Sequence, residues 1–66
     1  MKGMIDKSID TNLKVIELEP SFAIAYNNLA IAYLEKGEIE SAKQHCEKAL
    51  SLGYEVAPEI LKELEG

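Results

Sequence analysis

The stretch SFAIAYNNLAIAYLEKGEIESAKQHCEKALSLG, residues 21–53, reads as two helices joined by a tight turn at Gly37. Between Ala23 and Leu34 the first helix is apolar on nearly every side. Only Asn27 and Asn28 bring amides there, and Tyr26 and Tyr33 are amphipathic. A helix that is apolar all round is normally enclosed by other elements. The second helix is amphipathic: Ile39, Ala42, Cys46, Ala49 and Leu50 share a stripe, while Glu40, Gln44, Glu47, Lys48 and Ser51 face away. Ser21 is expected to cap the first helix. Gly37 supplies the left-handed residue that ends it, and Gly53 ends the second.

The flanks extend the helical pattern. In residues 4–19, Met4, Ile5, Ile9, Leu13, Val15 and Ile16 fall on one broad arc at helical spacing, with Ser8 and Asn12 inside that arc. Pro20 stops this helix, because proline disfavours a helical conformation in the residue before it. Downstream, Pro58 suits the first turn of a short helix over residues 57–65, where its missing N–H costs nothing. Ile60, Leu61 and Leu64 give that helix an apolar edge. No segment alternates as a strand does, so the class is all-α, with about four helices in one domain spanning residues 1–66.

Size and charge narrow the possibilities. A 66-residue chain with one cysteine has no internal disulfide. One Cys and one His fall short of the four ligands of a closed zinc site. Chains below about 70–80 residues seldom stand on a single core alone, so helix packing and self-association remain as sources of stability. A hydrophobic fraction of 47% excludes a disordered chain. The net charge is −5 and all seven basic residues are Lys. Such a chain is a poor nucleic-acid binder, since phosphate neutralisation dominates that affinity. An anionic membrane surface is disfavoured for the same reason. No apolar run reaches membrane-spanning length, no secretory leader is visible, and a reduced cytoplasmic setting is the expectation.

A period of 34 residues runs through the chain. Shifted by that amount, Ile5 meets Ile39, Lys14 meets Lys48, Leu18 meets Leu52, and Ala23 meets Ala57. Asp6, Ser8, Val15 and Ile16 meet Glu40, Ala42, Ala49 and Leu50. With this period the chain resembles the tetratricopeptide-repeat family. The resemblance is specific between Ala23 and Leu52: Tyr26 stands for the signature aromatic, Leu29-Ala30 for its Leu-Gly pair, and Tyr33 for the following Tyr. Gly37-Glu38 is the turn, Ala42 the small residue of the second helix, and Ala49-Leu50 its closing pair. Pro20 matches the Pro that ends a unit. Tyr54 departs from that Pro, and Cys46 and Asn12 stand where a larger apolar residue is usual. The chain then holds the second helix of a partial repeat (4–19), one full repeat (21–53) and a C-terminal capping helix (57–65). Beginning on the second helix of a unit, it reads as either a fragment or a mini-protein.

The resemblance implies a short right-handed superhelical array whose first helices line a concave, partner-binding face. On that face the residues expected to bind are Ile24, Asn27, Asn28, Ile31, Leu34 and Glu35, the aliphatics filling pockets and the amides pairing with backbone groups. The expected function is a non-enzymatic protein-interaction module for a peptide or helix. The alternative is a self-assembling domain whose concave face is buried in a homo-oligomer. Asn28 matches the position where an Asn often bonds a bound peptide, but the basic residues that accompany it in carboxylate-binding members are not evident. Cys46 reads as a small inward hydrophobe. His45 projects about 100° away from it along a helix, and the two form no catalytic pair. No cofactor, metal or nucleophile motif is evident.

Overall fold

Proline and glycine set the boundaries of the fold. The structure, a computed structural model, describes residues 2–65. Four helices follow in order: α1 (Lys2–Leu18), α2 (Ala23–Lys36), α3 (Ile39–Ser51) and α4 (Pro58–Glu65). The turn after α1 is closed by the Phe22 N–H donating to the Glu19 carbonyl at 3.0 Å. It is pinned to α2 by the Tyr26 hydroxyl, which donates to the Pro20 carbonyl at 2.8 Å. Phe22, not Ser21, occupies the N-cap position, and no side chain caps the helix. Fixing the turn through Tyr26 starts α2 one residue later than the Ser21 cap would.

The other two boundaries share one device. Gly37 and Gly53 take φ of +86° and +90°. After α2, the Gly37 N–H donates to Leu34 and the Glu38 N–H to Tyr33, at 3.0 and 2.9 Å. After α3, the Gly53 N–H donates to Leu50 and the Tyr54 N–H to Ala49, at 2.9 and 3.0 Å. Both are Schellman closures, which satisfy the last carbonyls of a helix and need a left-handed residue that glycine adopts without strain. Tyr54 therefore needs no proline in its place. Its side chain, partly buried, packs against the cluster that α2, α3 and α4 share.

Two apolar clusters lie on opposite sides of α2. On the α1 side, Ile9, Leu29 and Ala32 are buried, with Ile5 and Ile16 against them. On the other side Ala30, Ala42, Cys46, Ala49, Val56 and Leu64 are buried among α2, α3 and α4. Tyr33 packs against both clusters. Ala30, Ala42 and Ala49 are fully enclosed, so the α2 and α3 backbones approach where only small side chains fit. The molecule is a slab about 31 × 30 × 16 Å. In so thin a body α2 is covered on two sides, while α1, α3 and α4 each keep an open flank. Ile39 and Leu50, read as inward from the sequence, are 39% and 44% exposed on such flanks.

Leu29 is the largest side chain fully removed from solvent. Leu29→Ala is expected to cost about 2–5 kcal/mol, comparable to the whole stability of a domain this small, and urea titration should find the variant largely unfolded. Gly37→Ala meets no atom within 4 Å, so its cost is backbone strain alone. It should lower stability by about 1 kcal/mol, read as a shifted urea midpoint with unchanged slope.

Candidate functional site

The six residues expected on a concave face lie on α2 within an arc of about 120°. The neighbouring helices divide that arc. Ile24 is 47% exposed, Asn28 and Glu35 are exposed, and Ile31 is half-buried. Asn28, Ile31 and Glu35 form one wall of a cleft of about 300 Å³ whose other wall is Met4, Ile5 and Ser8 of α1, with Ala32 also lining it. Asn27 and Leu34 lie at the other edge of the arc. Leu34 packs on the cluster shared by α2, α3 and α4. Asn27 is half-buried, and its Oδ1 is enclosed without a hydrogen-bond donor among the described residues.

A polar rung joins the two walls. Asn12 Nδ2 donates to the Ser8 carbonyl at 2.8 Å and to Ser8 Oγ at 3.3 Å. Its Oδ1 accepts from Asn28 Nδ2 at 3.4 Å. Ser8 and Asn12, which interrupt the apolar arc of α1 in the sequence, are thus the α1 side of a contact with Asn28. That contact is long for a hydrogen bond, so the Asn28 amide keeps capacity for a further partner. Among the described residues Glu35 is the one charged side chain lining the cleft. It forms no ion pair among the described residues. Nearby in sequence, Lys36 is held by Asp6 at 2.8 Å and approached by Glu38 at 3.8 Å. The hydrogen bond from Lys36 to Asp6, together with the attraction between the charges, raises the lysine above its ordinary range.

The remaining reactive side chains are engaged in structure. His45 is half-buried. Its Nδ1 lies 2.8 Å from the Ser41 carbonyl, to which it must donate, and its ring stacks on Tyr33 with centroids 5.1 Å apart. His45 is therefore a packing element of the α2–α3 contact. Lys48 reaches over the Tyr26 ring, 6.0 Å from its centroid. Cys46 is buried and unpaired. Burial pushes its thiol pKa up, with a smaller push from Glu47, the reverse of what activates a nucleophile. Among the described residues no three acidic, His or Cys side chains group as metal ligands, and no helix is long and apolar enough to cross a membrane.

Two further open surfaces escaped the sequence reading. One is a cleft of about 370 Å³ between α3 and α4, lined by Cys46, Leu50, Leu61 and Leu64 with Lys43, Glu47 and Glu65 at its rim. The other lies along the outer flank of α1, where Met4, Lys7, Ser8, Thr11 and Asn12 border a shallow hollow of about 300 Å³. The signal for the first was length: α4 has 8 residues against 13 in α3, too few to cover it.

Comparison with known proteins bears on the central hairpin. No solved structure gives a significant match. The chain is similar to stress-induced-phosphoprotein 1 of Caenorhabditis elegans, 45% identical over 42 residues. That alignment takes in 64% of this chain and 13% of the relative, so the chain spans a small part of that protein's length. The tetratricopeptide repeat profile matches residues 23–52, which are α2, α3 and the turn between them, with the fully enclosed Ala30, Ala42 and Ala49 at their contact. Residues 23–52, which form α2 and α3, thus match a tetratricopeptide repeat, and they sit in an all-helical chain.

Proposed function

We propose that this chain, whose repeat is of a kind that generally serves as a protein–protein interaction module, binds a peptide or a helix of a partner protein along the concave side of α2, without enzymatic activity and in a cytoplasmic setting. The observation that carries the reading is the α1/α2 cleft. It joins aliphatic surface from Ile31 and Ile5 to an incompletely bonded amide at Asn28 and an unpaired carboxylate at Glu35. Ile24 continues the same side of α2 as exposed apolar surface. An aliphatic or small aromatic side chain would enter beside Ile31, and the Asn28 amide would pair with the ligand backbone. Glu35 favours a ligand carrying Lys or Arg and disfavours an acidic tail or a terminal carboxylate. Asn27 and Leu34, the other two residues of the expected face, would shape the far edge without reaching the cleft. The enclosed Oδ1 of Asn27 becomes satisfied if a ligand N–H approaches from that edge.

The absence of enzymatic activity is supported by the bonding of His45 to Ser41 and by the upward-shifted thiol of Cys46. The lone reduced cysteine suits a cytoplasmic setting.

Panning the chain against a displayed peptide library tests the proposal. Selected peptides should be rich in aliphatic and basic residues. They should bind Ile31→Glu at least about tenfold more weakly, a loss of about 1.4 kcal/mol, while the thermal melt stays close to that of the parent. Glu35→Lys should move the preference from basic toward acidic peptides. Selection of the same peptides at equal affinity by Ile31→Glu would sink the cleft as the binding site.

A further inference from the structure

The polar rung between α1 and α2 has a direction, and it starts at a group that can only accept. The Ser8 carbonyl takes a hydrogen bond from Asn12 Nδ2 at 2.8 Å, and Ser8 Oγ lies 3.3 Å from the same nitrogen. Turned over, the Asn12 amide would set its Oδ1 against the carbonyl, two acceptors with no proton between them. The carbonyl therefore fixes Oδ1 as the end of Asn12 that meets α2. Asn28 Nδ2 approaches that oxygen at 3.4 Å. The contact is long, but it decides between two orientations. With its own amide reversed, Asn28 would again place acceptor against acceptor.

Asn12 stands outside the α1/α2 cleft and borders the hollow on the α1 flank, whereas Asn28 lines the cleft. The nitrogen end of Asn28 is drawn toward Asn12. Oδ1 is the end left over, and it accepts no hydrogen bond among the described residues. Two turns along α2, the Glu35 carboxylate lines the same cleft and also only accepts. Ser8, the other polar residue of the lining, has its hydroxyl oxygen engaged by Asn12. Asn28 and Glu35 are seven residues apart on the helix, about 10 Å along its axis. That is the length of about three residues of extended chain. Ile31 lies between them, with Ile5 on the α1 wall.

We propose that Ser8 and Asn12 are positioning residues that hold the Asn28 amide with Oδ1 toward the cleft, so that the cleft selects its ligand by hydrogen-bond donors. The ligand is an extended peptide whose backbone N–H bonds Asn28 Oδ1 and whose Lys or Arg, about three residues away, pairs with Glu35. An aliphatic side chain between the two covers Ile31. This rests on the α1/α2 cleft as the binding site and adds the polarity of the amide. A carbonyl or carboxylate brought to Asn28 meets an oxygen instead of a proton. Were residue 12 unable to accept, Asn28 would be free to turn, and selection would fall to Glu35 alone.

Nuclear magnetic resonance on the isotope-labelled full chain tests the two parts separately. Without ligand, the side-chain NH2 protons of Asn28 should give cross-peaks to Asn12. In Asn12→Leu the Asn28 pair should shift, while helical circular dichroism matches the parent. Asn28 protons averaged over rotamers, or a pair that Asn12→Leu leaves in place, would overturn the positioning role. Titration then uses the peptide acetyl-Ala-Lys-Ala-Leu-Ala-Lys-Ala-amide, which offers a lysine on either side of its leucine, and a counterpart with both lysines replaced by glutamate. The lysine peptide should bind at least about fivefold more tightly, and Glu35→Gln should reduce that preference. Exchanging a backbone N–H beside the leucine for an ester oxygen should weaken binding about tenfold in the parent. The loss should fall below about threefold in Asn12→Leu, where the amide can turn to donate. Binding that Ile31→Glu abolishes but no ester weakens would overturn the acceptor and leave the cleft standing. Binding indifferent to Ile31→Glu, or no binding of either peptide, would overturn the cleft and the selection with it.

Discussion

Tyr33 has to be covered from both sides, and the arrangement of the molecule follows from that. Its ring belongs to the cluster α2 makes with α1 and to the one it makes with α3 and α4, and His45 stacks against it. A helix carrying Ala25, Leu29, Ala30 and Ala32, all buried, offers water too little polar surface to stand alone. It persists because α1 and α3 each remove one side of it from solvent. α1 has no such second neighbour and α3 is covered only in part by the short α4, and among the described residues the open clefts lie on the flank of α1, between α1 and α2, and between α3 and α4. The uncovered flanks are therefore what this fold presents to its surroundings.

Much of this architecture is legible in the chain. Pro20, Gly37 and Gly53 mark the ends of three helices because each acts through local backbone geometry, which needs no knowledge of the tertiary structure. The sequence leads to a helix over 4–19, a two-helix unit over 21–53 and a short helix over 57–65, and the structure forms α1 (Lys2–Leu18), α2 (Ala23–Lys36), α3 (Ile39–Ser51) and α4 (Pro58–Glu65). The close approach at Ala30 and Ala42 was legible too, since small residues at repeat positions have a steric reason to be there. The cap at Ser21 was not, because a hydrogen bond between Tyr26 and Pro20, six residues apart, fixes the turn. Propensity at a single position carries no trace of that contact.

The candidate site was legible as an arc and illegible in its division. A helical wheel places Ile24, Asn27, Asn28, Ile31, Leu34 and Glu35 together. Which part of the arc stays open depends on where α3 and α4 lie, and Leu34 and Asn27 fall on their side. Ser8 and Asn12 looked like blemishes in an apolar stripe until the rung to Asn28 gave them a partner on another helix. Polar residues within an apolar arc signal such cross-helix contacts, although one strand of sequence does not say with which helix.

Cys46 has a consequence outside packing. The residue lines the α3/α4 cleft and is 3% exposed. Reaching it requires α4 to lift away, and α4 is a short helix held at one side. The rate at which a thiol reagent modifies Cys46 therefore measures local opening of the C-terminal helix, separate from global unfolding so long as the hairpin stays intact. The molecule carries an intrinsic reporter of its own weakest joint, and whatever docks on that joint will register as protection of a single atom.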